Sequence, residues 1–297
     1  MRVRALLVAL PVVLGPLLNL EAAWAQAGFQ SGYFRTSDGV ELHYLEAGSG
    51  PALVFIPGWI MPAEVWEPQL RHFADAHRVI ALDPRSQGRS EKTTEGHHLS
   101  RRARDIGELI EHLDAAPAVL AGWSLGVAEV LTYAQEFGTD ALRAVVLVDY
   151  FLGVDQEPGE PHPLLSMHAS TITRLQLDRS GFTREFVRGM YRSQQSDEYL
   201  DAITEAALAT PTNTAVTLIA NIALMSPSDL RPALEELDRP LLYVQIPRPF
   251  ALEEMVRERR PDARVEVFEN AGHALFVDEP DRFNQLLEEF LASLPEQ

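Results

Sequence analysis

The chain has 297 residues, 46% of them hydrophobic, enough to bury a full core in one large domain or in a domain that carries an insertion. A formal net charge of -18 argues against nucleic-acid or anionic-membrane partners, because phosphates would be repelled and no dense basic patch offsets the excess. There is no cysteine, which excludes thiol nucleophiles, cysteine-based zinc sites and disulfides together.

The opening segment, MRVRALLVALPVVLGPLLNLEAAWAQA, has two arginines, an apolar run interrupted by Pro11, Gly15 and Pro16, and a small-residue AWA pattern at Ala23 to Ala25. This is the pattern of a secretory signal. The run from Ala5 to Leu20 is short for a membrane span of about 20 residues, and its prolines disfavour an anchor. A signal peptide over 1–25 is expected, giving a secreted or periplasmic chain that starts near Gln26 and keeps no stable membrane anchor. Arg2 and Arg4 are not adjacent, which favours the general export route over the twin-arginine one.

Strand and helix signals then alternate. YFRTSDGVELHYLEAG reads as a hairpin turned at Ser37 to Gly39, and ALVFIPG (52–58) as a strand covered on both faces. A helix through Glu67 to Ala76 follows, then the strand HRVIALD (77–83) and the amphipathic helix SRRARDIGELIEHLD (100–114). AVLAG is the next buried strand. It runs into GWSLG, after which LGVAEVLTYAQEFG repeats apolar residues at helical spacing and stops on Gly138. LRAVVLVD (142–149) closes this run, and such alternation implies a mostly parallel sheet with helices on both faces.

From Tyr150 to about Arg239 the alternation lapses. A proline-rich stretch, EPGEPHP, opens helical segments such as TREFVRGMYR and EYLDAITEAAL, which reads as an inserted helical cap. LLYVQI, ALEEMVRERR, ARVEVFEN and DRFNQLLEEFLASL then resume strand and helix. The expected organisation is a first core part over 26–150, a cap over 151–238 and a second core part over 239–297.

The glycines around Ser124, Gly122 and Gly126, suit a backbone turning so sharply that neighbouring segments would meet a Cβ. A strand-to-helix turn of this kind lifts the serine out of the sheet and points helix N–H groups at the same spot, a geometry suited to attack on a carbonyl. On its own the pentapeptide is equally consistent with a plain turn or helix cap.

Four segments in order, IPGW, DPRSQGRS, GWSLG and NAGHALFVDEP, make the chain resemble the α/β-hydrolase superfamily, of the esterase and lipase-like type with a helical cap. The resemblance covers nearly everything after the signal segment. It implies Ser124 as nucleophile and His273 as the base, since a serine hydroxyl is too weak an acid to attack unaided. It also implies an oxyanion hole from the backbone N–H groups of Leu125 and Trp59, with Pro57 where relatives commonly carry a histidine.

The triad acid departs from the commonest pattern. Many relatives carry an aspartate after the strand that follows the cap, but YVQIPRPFALEEM has Pro249 near that position. A minority arrangement puts the acid at the end of the strand before the cap, where VVLVDYF offers Asp149, favoured here over Glu253 or Glu254. His97 and His98 lie in a polar loop and His162 and His168 in the cap, and none has the spacing of a metal cluster. No cofactor and no metal are expected.

By the same resemblance, Trp123, Tyr150, Phe151, Phe250 and Leu275 join Trp59 beside the catalytic positions, implying an apolar pocket under the cap for a small-molecule ester with an uncharged acyl or aromatic group. The activity implied is a serine hydrolase acting on carboxylic esters through an acyl-enzyme. A lactonase or cofactor-free perhydrolase would share the same triad, and a ligand-binding protein that has lost turnover would keep the fold.

Overall fold

The computed structural model describes residues 28–153, 164–224, 230–248 and 251–295. A hairpin of β1 (Gln30–Arg35) and β2 (Glu41–Ala47) opens them, closed by Thr36, whose backbone exchanges hydrogen bonds with Val40 and Gly39. β3 (Ala52–Ile56), β4 (Arg78–Leu82), β5 (Ala118–Trp123), β6 (Leu142–Val148), β7 (Leu241–Gln245) and β8 (Arg264–Val267) follow. They form one eight-stranded sheet in the order β1-β2-β4-β3-β5-β6-β7-β8. β1 and β2 pair antiparallel with each other and β2 with β4, while every other pair is parallel.

Every residue of β3, β5 and β7 is buried, the signature of strands covered on both faces, and apart from Gln245 at the end of β7 their sequences are accordingly continuous apolar runs rather than alternating ones. The covering helices are α1 (Glu67–Phe73), α2 (Leu99–His112), α3 (Leu125–Phe137), α9 (Leu252–Arg259), the short α10 (Leu275–Asp278) and α11 (Pro280–Ser293). α3 is buried all round from Leu125 to Ala134, as a helix must be when it lies between the sheet and another helix. That helix is α2, which packs along it and binds Glu129 through the buried Arg102.

The early helical segment begins before the expected Glu67, in a tighter turn, and its α-helix ends at Phe73 rather than Ala76. Ala63–Trp66 forms a 3₁₀ turn that hands over to α1, with Pro68 in the first turn of the helix, where its missing N–H costs nothing.

Between β6 and β7 the described residues contain α4 (Leu165–Leu177), α5 (Arg179–Gly189), α6 (Asp197–Leu208), α7 (Thr212–Leu224) and α8 (Leu230–Glu236). α4 packs on α7 and α5 on α6, but α8 packs on the core helix α3. The segment 151–238 is therefore not uniform: α8 belongs physically to the core body. His162 lies outside the described residues, as does the start of the chain with its signal pattern. No described helix is long and apolar enough to cross a membrane.

Candidate active site

Three parallel neighbours, β5, β6 and β7, end at one edge of the sheet, and the candidate residues hang from that edge. Ser124 fills the single position between β5 and α3 with φ 53° and ψ −125°, outside the comfortable regions for a residue with a side chain. The flanking glycines are what allow it. A Cβ on Gly122 would stand 2.5 Å from the carbonyl oxygen of Gly126, and one on Gly126 would stand 2.5 Å from that of Ile56. α3 can thus approach β5 and β3 closely enough to pin the turn, and the Ser124 N–H donates to Val148 O at 2.9 Å.

Asp149 is the first residue beyond β6. It too has a positive φ, 47°, and its N–H donates to Val244 O at 2.7 Å. His273 sits in the loop after β8. Its carbonyl accepts from Trp123 Nε1 at 2.9 Å, Gly272 N–H donates to Asp278 at 2.7 Å, and Ala274 N–H donates to Met190 O of the cap at 3.0 Å.

These supports bring the three side chains together. His273 Nε2 lies 2.9 Å from Ser124 Oγ and Nδ1 lies 2.6 Å from Asp149 Oδ2. A carboxylate only accepts, so Nδ1 carries the proton and Nε2 is left to accept from the serine hydroxyl. Burial alone would raise the Asp149 carboxyl, but the hydrogen bond and charge of His273, and then of Arg248, outweigh it and hold the group below the usual carboxylate range. Glu253 accepts instead from Gln245 Nε2 and Glu254 is exposed, so neither is the histidine's partner.

Leu125 is the first residue of α3, and its N–H is one of the orphan donors of a helix N-terminus. Gly58 presses against Ser124, since a Cβ there would lie 2.9 Å from the serine Cβ, and Trp59 is the next residue of the same loop. Gln87 fixes that loop by donating to the carbonyls of Gly58 and Met61 at 3.0 and 2.8 Å. Trp59 also reaches the cap, donating Nε1 to Ala215 O at 3.0 Å and packing edge-on against Phe186.

Ser124 and His273 open into a cavity of about 600 Å³. Trp59, Tyr150 and Phe151 line its floor with Ile246, and Met167, Phe182 and Phe186 come from the cap. Two of the expected pocket residues are elsewhere. Trp123 is buried beneath the His273 loop, its ring 5.1 Å from the imidazole and edge-on to Phe276, so it props the base instead of facing the cavity. Leu275 begins α10 and turns fully into the core. Phe250 and Pro249 lie outside the described residues.

Sequence reasoning missed Arg248. It lines the cavity and grips the Asp149 carboxylate, with Nη2 2.5 Å from Oδ2 and Nε 3.2 Å from Oδ1. The signal was present in part: Arg248 directly precedes Pro249, in the loop where the acid was first sought. The cavity also holds Arg174 and Glu185, which pair with each other, and His168. Among the described residues no group of three or more histidines and carboxylates is placed to hold a metal ion.

A second serine, histidine and aspartate chain exists away from the cavity. Ser31 Oγ lies 2.8 Å from His43 Nε2, and His43 Nδ1 2.7 Å from Asp83 Oδ2. His43 and Asp83 are completely buried, and Asp83 also accepts from the N–H groups of Ala63 and Arg89 at 2.7 and 2.8 Å. The same three residue types here fasten β1, β2 and the turn after β4, with the serine exposed on β1.

Comparison with known proteins agrees with the geometry. A model of the alpha/beta hydrolase family matches residues 53–286. A non-heme chloroperoxidase from Kitasatospora aureofaciens is 28% identical over 274 residues, 86% of this chain and 98% of the relative. A bifunctional esterase/perhydrolase from Acinetobacter calcoaceticus is 33% identical over 120 residues, 39% of this chain and 44% of the relative. Among solved structures, an esterase from Exiguobacterium antarcticum superimposes with a TM-score of 0.81 at 22% identity, covering 89% of this chain and all of that one. With the sheet order, the serine turn and the family match in agreement, the chain belongs to the alpha/beta hydrolase family and is a hydrolase.

Proposed function

We propose that the protein is a serine esterase that cleaves a carboxylic ester with an apolar acyl or aromatic group through an acyl-enzyme. The observation that carries this reading is the unbroken contact from Ser124 Oγ through His273 to Asp149, at 2.9 and 2.6 Å, opening into a cavity with aromatic walls. Ser124 Oγ attacks the ester carbonyl as His273 Nε2 takes its proton, and Asp149 stabilises the imidazolium. The oxyanion meets the N–H groups of Leu125 and Trp59. His273 then returns the proton to the departing alkoxide, and water, activated by the same imidazole, releases the acid and restores the serine.

Names of relatives favour a second reading. A chloroperoxidase and an esterase/perhydrolase resemble this chain, and in a perhydrolase hydrogen peroxide would replace water in the second half, giving a peracid. The ligand of either reaction is a small molecule and neither step calls on a cofactor. We also propose that residues 1–25 direct export of the chain from the cytoplasm.

Labelling by a fluorophosphonate, followed by a panel of short and long p-nitrophenyl esters and lactones with and without peroxide, tests these readings together. Labelling at Ser124 with turnover of esters is expected. A protein that takes no label but still binds a cavity ligand is a binding protein, and peracid formation outrunning ester hydrolysis supports the perhydrolase.

A further inference from the structure

The Asp149 carboxylate is more heavily contacted than a triad acid requires. Its Oδ2 is shared between His273 Nδ1 at 2.6 Å and Arg248 Nη2 at 2.5 Å, while Oδ1 accepts from Arg248 Nε at 3.2 Å and from the N–H of Ile246 at 3.3 Å. The guanidinium therefore meets both oxygens side-on, the two-point geometry that holds a planar carboxylate best. The last torsion of an aspartate is otherwise broad. Held in this way, Oδ2 stays aimed at the imidazole.

Placement makes the contact unusual. Asp149 is 1% exposed and ends β6, whereas Arg248 is 34% exposed, follows β7 and lines the substrate cavity. The loop after β7, where family resemblance leads one to look for the acid, instead supplies a cation to an acid on the neighbouring strand.

A cation on Oδ2 also changes what His273 experiences. Imidazolium formation is favoured by the carboxylate's negative charge, and a guanidinium on the same oxygen offsets part of that charge. Other groups near the pair are arranged differently. Tyr243, on β7, donates its hydroxyl to Gln245, which is in turn bonded to Glu253 of α9. Asp278 of α10 accepts from Gly272 and from the backbone of Arg192 and Ser193. His168, Arg174 and Glu185 face the cavity from α4 and α5, and the last two neutralise each other. Arg248, by contrast, bonds the triad acid directly.

We infer that Arg248 is a positioning residue for this site: it fixes the Asp149 carboxylate and reduces the charge that carboxylate presents to His273. This inference rests on the serine-hydrolase reading above, and the rate of fluorophosphonate labelling separates the two. Wild-type protein that takes no label overturns the serine-hydrolase reading. If wild type is labelled, the second-order labelling constant is measured from pH 4.5 to 9 for Arg248→Met, Arg248→Lys, Asp149→Asn and the double variants, with melting temperature as the check on folding.

Arg248→Met should lower the constant at high pH about tenfold and move the midpoint of its rise with pH up by about one pH unit. Arg248→Lys should keep a midpoint near wild type with an intermediate constant, because the charge remains and the two-point grip is lost. In the Asp149→Asn background neither Arg248 substitution should slow labelling further, since the residue acts through the acid. A loss of equal size in both backgrounds, an unmoved midpoint, or unchanged labelling overturns the inference. Should Arg248→Met fail to fold, the lysine variant alone decides by the same two-background comparison.

Discussion

The corners after β5 and β6 are built to the same plan and held by different forces. Each places a non-glycine residue at positive φ directly beyond a buried parallel strand, Ser124 at 53° and Asp149 at 47°, and each is tied by its N–H to a carbonyl of the next strand. At Ser124 the constraint is steric. Gly122 and Gly126 leave no room for a Cβ, so three segments of backbone close on the turn. At Asp149 the constraint is electrostatic, and it comes from His273, Arg248 and the N–H of Ile246, all distant in sequence. A steric corner leaves a local pattern of small residues that a reader of the sequence can find. An electrostatic corner leaves only an aspartate at a strand end, and its partners are known once the chain is folded.

Breaking the two corners should therefore give different failures. Ser124→Ala removes the nucleophile without filling space, so kcat for ester hydrolysis should fall on the order of 10⁶, by analogy with other triads, at a nearly unchanged melting temperature. Near wild-type turnover would remove Ser124 from the chemistry. Asp149→Asn keeps the shape and loses the charge that orients the imidazole, and its expected cost in kcat is about 10⁴. Glu253→Gln, which touches only the Gln245 side of the network, should leave kcat within about twofold. If the two results were exchanged, the contact at 2.6 Å would not be the working one.

Gly126→Ala probes the steric corner from the side of stability. The added methyl would meet the Ile56 carbonyl, which belongs to a fully buried strand and has little freedom to retreat. A loss of about 1–3 kcal/mol is expected, read as a lower melting temperature or denaturant midpoint. The activity of the folded fraction should fall as well, because the Leu125 N–H is carried on the same turn. A variant as stable as wild type would mean that α3 does not press on β3 as described.

The contrast between local and distant constraint also explains what could be read from the sequence. The strands were legible because burial on both faces gives unbroken apolar runs, and Ser124 because its neighbours are excluded from having side chains. His273 was legible through the segment around it. Trp123 and Leu275 were misplaced because adjacency in sequence was taken for exposure to the cavity: Trp123 points under the His273 loop and Leu275 into the core. Arg248 went unread because its role exists only across two strands, and α8 because a short helix at the end of the cap segment gives no sign of which body it packs on.

A smaller effect separates the histidine that works from one that is merely buried. His97, 6% exposed, lies 3.0 Å from Ser86 Oγ, and burial, with Arg102 and Arg85 adding to it, pushes its imidazole down to about 4. Its folded value lies below the ordinary 6.5, so between about pH 6.5 and pH 4 the unfolded chain binds the extra proton. The stabilisation is complete above that window and is lost as pH falls through it. Glu64 acts with the opposite sign. Burial and then the Asp83 charge raise its carboxyl to about 7, so its contribution is full at low pH and is lost as pH rises through that value. The raw profile of wild type mixes the two slopes, but His97→Gln, which can still bond Ser86, removes only the first. The melting-temperature difference between wild type and His97→Gln should therefore change steadily between pH 6.5 and 4, wild type losing more, while kcat at pH 8 stays the same. A difference that is flat with pH would show that His97 is protonated in the folded protein as readily as in the unfolded chain.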